Sequence, residues 1–141
     1  VEAIMANRYG KAEMLAALWK LGAGNERLPT SHGILDRALN ECLSELPQQL
    51  KDGLTFGITG VGLRCYQLPD ILLAAQEAML TSEPNPTYQS SIVVIDEERA
   101  RQIVVTSGIS SRRAKEIGEH LKAAVAKVRG LIAQPNQLSM A

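Results

Sequence analysis

Residues 111–133 read SRRAKEIGEHLKAAVAKVRGLIA. Within this stretch Ala114, Ile117, Leu121, Ala124, Val128 and Leu131 follow one another at intervals of three and four. That spacing lines side chains along one stripe of an α-helix. Val125 and Ile132 widen the stripe, and charged residues fill the opposite side. The pattern predicts one long C-terminal helix from Ser111 to Ala133 that must lay its apolar side against another surface. Two surfaces satisfy it: the core of its own domain, or a second chain. On the second reading Ile117, Leu121, Ala124, Val128 and Leu131 form an oligomer seam. The run covers fewer than three heptads, short of what sustains a free-standing coiled coil.

The segment leading into this helix is organised as a second helix and a turn. Asp96 is placed to cap a helix beginning at Glu97, and Glu97 and Glu98 stand at its positive end. That helix is expected to reach Ser107 and to stop at Gly108, with Ser110 or Ser111 capping the next. The new helix then opens with Arg112, Arg113 and Lys115. A glycine in the turn, an apolar residue after it, and a serine capping a helix with a basic start resemble the helix-turn-helix of DNA-binding regulators. The resemblance covers residues 99–120. It implies that Ser110, Ser111, Arg112, Arg113 and Lys115 meet the phosphates or base edges of duplex DNA. Two positions depart from the pattern: Val104 occupies the slot of a small residue and Ser107 that of an apolar one. The second helix is also about twice the usual length.

Toward the N-terminus the reading is of helices interrupted by a small β element. Met14, Leu15, Leu18 and Leu21 predict a helix over Lys11–Leu21, with Trp19 beside the stripe and Gly22 ending it. Ser31 offers a hydroxyl cap to a second helix, in which Ile34, Leu35, Ala38, Leu39, Cys42, Leu43 and Leu46 recur at helical period. Pro47 ends or kinks it. Alternation of apolar and small or polar residues over Leu54–Leu68 predicts a hairpin with Thr59-Gly60 at the bend. Pro69 and Asp70 suit the first turn of a helix that reaches Thr81 and buries Leu72, Ala75 and Met79. Ser82–Thr87 reads as an exposed loop, Tyr88–Ile95 as a strand with a β-branched end, and residues 134–141 as a frayed tail. The expected fold class is α+β, predominantly helical, with about five helices and a small hairpin and strand; all-α is the alternative.

At 141 residues, 45% of them hydrophobic and 21% charged, the chain has the size and composition of one domain, 1–141, with its own core. No charge-free stretch exceeds 12 residues (84–95 and 130–141), too short for a spanning helix of roughly 20. The N-terminus lacks the basic-then-apolar layout of a secretory signal, and Met5 is a candidate native start. Cys42 and Cys65 stand alone, which fits neither a disulfide framework nor a zinc site; small buried thiols and a cytoplasmic protein are expected. Formal charge is zero, but residues 1–96 hold 7 basic and 11 acidic groups while residues 97–141 hold 8 and 4. A basic C-terminal third is a hint of an anionic partner. The five aromatics, Tyr9, Trp19, Phe56, Tyr66 and Tyr88, are not interleaved with the basic cluster, which argues against a base-stacking platform.

Enzyme signatures are approached and missed. Gly57-Ile58-Thr59-Gly60-Val61-Gly62, together with Ile92–Ile95 ending in Asp96-Glu97, is similar to a phosphate loop and metal-holding strand. The lysine and hydroxyl that such a site requires are replaced by Leu63 and Arg64. His32 and His120 are isolated, and no Gly-x-Ser-x-Gly, His-Glu-x-x-His or Cys-x-x-Cys occurs. The expectation is a small non-enzymatic regulatory protein, without cofactor or metal and with no membrane contact, binding duplex DNA as a homodimer. An adaptor docking through its apolar seam, and a small-ligand domain with a pocket near the hairpin, are the competing readings.

Overall fold

The computed structural model describes residues 2–31, 33–83 and 89–132; for residues 2–9 and 132 it describes the helical backbone alone. The expectations for His32, Pro84–Tyr88 and the tail 134–141 lie outside the described residues. Helix α1, Glu2–Ala23, is the axis on which the rest is built, since α3, α4, α5 and α6 all pack on it. Ala12, Met14, Leu15, Ala16, Ala17, Leu18 and Trp19 are all buried. Six consecutive apolar residues, 14–19, point in every direction around a helix, so this helix is enclosed rather than laid on a surface. Trp19 anchors the far end, its Nε1 donating to the Glu26 carbonyl at 2.8 Å.

Helix α2 spans Ile34–Glu41. Ser31 does not cap it with its hydroxyl, as the sequence led us to expect. Gly33 stands at the cap with φ +68, and Ser31 supplies its carbonyl to the Ile34 N–H at 3.3 Å. The apolar run to Leu46 is also no single helix. It tightens into a 3-10 turn at Leu43–Glu45 and re-forms after Pro47 as α3, Gln48–Lys51. Pro47 has φ −58 and ψ 148 and starts that short helix rather than only ending the previous one. Lys11 of α1 reaches under α3, and its buried Nζ donates to the carbonyls of Gln49, Leu50 and Asp52.

Strands β2, Phe56–Thr59, and β3, Gly62–Cys65, form the expected hairpin, paired Phe56 with Cys65 and Thr59 with Gly62. The bend is Gly60-Val61, one residue later than Thr59-Gly60, because Thr59 closes the ladder. Its Oγ1 donates to the Gly62 carbonyl at 2.8 Å and accepts from the Val61 N–H. Helix α4 spans Leu68–Glu77, four residues short of the expected end at Thr81. Met79 takes φ +60 and is exposed rather than buried, and a reversal follows in which Leu80 N–H bonds to the Ala75 carbonyl. That reversal feeds β4, Thr81–Ser82, which pairs with β5, Ser90–Val93; β5 also pairs with β1, Leu28–Pro29. The two-residue strands β1 and β4 carry too little pattern to be read in advance.

Helix α5, Glu97–Thr106, is capped by Asp96, whose Oδ1 accepts the Arg99 N–H at 2.7 Å. It closes at Gly108, φ +87, with Ile109 N–H on the Val104 carbonyl and Gly108 N–H on that of Val105. Only a residue free to adopt positive φ closes a helix this way without strain. Helix α6, Ser111–Ile132, then crosses α1 and α2. The fold is α+β and predominantly helical, as expected, with six α-helices and five short strands among the described residues.

The seam of α6 closes inside the chain. Ala114, Ile117, Leu121, Ala124 and Val128 are buried against the chain's own helices, and among the five proposed oligomer positions only Leu131 is exposed. The close approach depends on two glycines. Gly118 of α6 faces Gly22 of α1, and a Cβ on Gly118 would overlap the Leu18 carbonyl. Four of the five seam positions are thus covered within the chain, which leaves Leu131 as the exposed member of that line.

Candidate functional site

The segment chosen for DNA binding is α5, the turn 107–110 and the start of α6. Both helices pack on α1. Ile103, Val104, Ala114 and Ile117 are buried and Ile109 is half-buried, so the turn is fixed from beneath. Val104 fills the slot meant for a small residue and is enclosed against the core. Ser107, in the apolar slot, turns its hydroxyl back to the Ile103 carbonyl at 2.9 Å.

Above that base the five predicted residues separate into different roles. Ser110 is the cap, its Oγ accepting the Arg113 N–H at 3.1 Å. Ser111 is half-buried at the start of the helix. Arg113 is engaged at home, with Nη1 3.2 Å from Glu116 and Nη2 3.8 Å from Glu45. Arg112 and Lys115 are exposed and have no carboxylate partner among the described residues. The structure therefore brings all five residues to one turn but leaves two cations open to a partner.

The uneven charge has a second, internal explanation. Arg99 pairs with Glu13 at 3.5 Å, His120 with Glu45 at 2.6 Å, Lys122 with Glu26 at 3.3 Å and Lys127 with Glu41 at 3.1 Å. With Arg113–Glu45, each of these pairs joins a base from residues 97–141 to an acid from residues 1–96. The basic third and the acidic remainder are complementary faces of one folded chain. Exposed pairs of this kind are worth little singly, yet they draw basic groups away from an external anion. Glu45 is the residue that reading for DNA contacts missed. Its signal was the acidic excess in residues 1–96, taken with the helical register of Glu41 and Glu45.

No other chemistry assembles around this segment. Burial pushes the Cys42 thiol up to about 11, assisted by the charges of Glu45 and Glu41, and burial raises Cys65 as well. Neither is a thiolate near neutral pH. Among the described residues no group of three or more His, Cys, Asp or Glu side chains could hold a metal, and no helix is long and apolar enough to cross a membrane. No protein-family model matches the chain, and neither a curated protein nor a solved structure is significantly similar to it.

Proposed function

We propose that this chain contacts duplex nucleic acid through the turn at Gly108 and the first turn of α6. The observation that carries the reading is the outward placement of Arg112 and Lys115. Both are exposed and without a carboxylate partner among the described residues, on a helix start held by α1 beneath it. Ser110 keeps that start ordered by capping it, so the two cations are presented from a fixed backbone.

The scale of the interaction follows from the charges. Two phosphate contacts release counterions with a slope of about −0.9 each in log affinity against log salt, so about −2 in total. That describes a weak, mainly backbone contact. The homodimer expected from the seam is no longer part of the reading, because the seam residues are occupied within the chain and Leu131 alone does not hold two copies together.

Fluorescence anisotropy with a labelled mixed-sequence duplex, titrated from 20 to 150 mM salt in roughly equal logarithmic steps, tests the proposal. The expected result is saturable binding at low salt with a slope near −2, and a loss of tenfold or more in Arg112→Ala/Lys115→Ala. Binding that is absent at low salt, or unchanged in the double variant, overturns it. Arg113→Ala is the internal comparison: its loss is expected to be smaller, because Glu45 and Glu116 already compete for that guanidinium.

A further inference from the structure

A cavity of about 480 Å³, open to solvent, is bounded by the start of α2, the face of the β2–β3 hairpin and the first turns of α4. Its size falls in the range of small-molecule sites. Leu68, Leu72 and Val61 give it an apolar wall. Two groups of opposite charge stand in the same wall, Arg64 from β3 and Asp36 from the first turn of α2.

Arg64 is half-buried, and its Nη1 donates to the Leu63 carbonyl at 3.0 Å; it has no ion pair among the described residues. Gly33 makes room for it, since a Cβ there would overlap the guanidinium. Gly57 does the same for the Tyr66 hydroxyl on that face of the hairpin. A guanidinium seated against the positive end of a helix is held there against repulsion, and a carboxylate placed beside it relieves both.

Asp36 is the complementary case. It is 8% exposed, and its Oδ2 accepts the buried Cys65 N–H at 2.7 Å. Its other oxygen takes no hydrogen bond among the described residues, and no cation pairs with it there. That oxygen is not closed off from solvent, so a cation entering the cavity can reach it and take the place of water. The guanidinium that shares the cavity does not occupy it, because the two do not pair.

We infer that this cavity binds a small zwitterion with an apolar body, of the class of α-amino acids with large hydrophobic side chains. The ligand carboxylate lies on Arg64, its ammonium turns to the free oxygen of Asp36, and its side chain covers Leu68 and Leu72. Each charge of the cavity is then neutralised by one ligand, and the apolar wall is removed from water. This site shares no residue with the α5–α6 turn and is independent of the DNA reading.

Isothermal titration calorimetry on the full chain tests the inference, with L-phenylalanine and L-leucine as probes and 3-phenylpropionate and 2-phenylethylamine as analogues lacking one charge each. Saturable binding of an amino acid is expected, with either analogue at least tenfold weaker. Arg64→Gln is expected to weaken the amino acid tenfold or more. Asp36→Asn keeps an acceptor for the Cys65 N–H, so the fold is retained; it is expected to weaken the amino acid while tightening 3-phenylpropionate, because it removes a repelling carboxylate. No saturable heat with either amino acid overturns the inference. So does 3-phenylpropionate binding as tightly as phenylalanine, which would mean a site for organic anions alone. Circular dichroism of each variant confirms that a loss of binding is not a loss of fold.

Discussion

Helices α1 and α6 are each 22 residues long and lie against one another, yet they relate to the sequence in opposite ways. Helix α6 has one side in the core and one in water, so burial divides its residues at every third or fourth step. Helix α1 is enclosed by four other helices, and over 11–19 every residue but Glu13 is buried. A helix surrounded by protein has no reason to alternate, and its periodicity disappears just where its structural importance is greatest. The amphipathic stripe therefore locates a helix by its exposure. The centre of a small helical fold has to be recognised by what a stripe lacks.

The strongest way to break this comparison is at the point where the two helices touch. Gly118→Val places a branched side chain onto the Leu18 carbonyl and the Gly22 backbone, which are not free to turn aside as a side chain would. The expected cost is about 4 kcal/mol or more, at the extreme of single substitutions. Urea unfolding followed by the fluorescence of Trp19, the single tryptophan, reads it directly. Gly130→Ala on the same helix meets open space, and it is expected to leave the midpoint unchanged or raise it slightly. Similar midpoints for Gly118→Val and the parent protein would mean that α1 and α6 do not cross there.

The second test separates core from interface along the stripe itself. Leu121 is fully buried and Leu131 is 41% exposed, although both occupy the same heptad line. Leu121→Ala is expected to cost about 3 kcal/mol through lost burial and a residual cavity. Leu131→Ala is expected to cost under about 0.5 kcal/mol, as an exposed substitution does. Sedimentation of both variants and the parent at several concentrations completes the test: a mass that falls to half in either variant would restore the seam to a second chain. The spacing alone could not make this distinction. A 3-4 stripe is the same whether the apolar surface it meets is in one chain or two, and only the position of α1 decides.

Much of what frames α6 was legible for the same local reason. Asp96, Gly108 and Ser110 are caps, and a cap acts on backbone groups two to five residues away, so its meaning is contained in the sequence around it. The hairpin was found to within one residue because alternation is equally local. Contacts made across the fold were not legible. Glu45 lies far in sequence from Arg113 and His120, and nothing near it records that it contacts both. Asp36 and Arg64 each read as an ordinary helix or strand charge until the hairpin brings them to one cavity. The turn between α5 and α6 was therefore legible as a turn, while its free positive charge was overestimated, because the carboxylate that engages Arg113 is distant in the chain.

The smallest of these effects concerns the one charge inside the enclosed part of α1. Lys11 is 6% exposed, and its ammonium serves three carbonyls at the end of α3. Lys11→Met keeps the length of the side chain and removes the donor. The carbonyls at Gln49 and Asp52 lie where water can reach, so the expected loss is about 2 kcal/mol rather than the sum of three buried deficits. The pH dependence gives this prediction its sign. Burial lowers the Lys11 pKa from its ordinary value of 10.5, and the charge of Asp52 recovers only part of the shift. Between the lowered value and 10.5 the unfolded chain binds more protons than the folded one. This group's contribution to stability therefore rises with pH across that window. The neutral amine still donates two hydrogens to the same carbonyls. In urea titrations at pH 8 and at pH 10, the stability difference between the parent protein and Lys11→Met should accordingly widen at the higher pH. The rise in the Cys42 pKa works against stability there in both proteins and cancels in the difference; Lys11 holds the Cys65 pKa down, so its removal raises that thiol further and widens the difference in the same direction. A difference that narrows would mean that the charge of Lys11 is favourable where it stands, and that α1 is less enclosed at this position than its burial indicates.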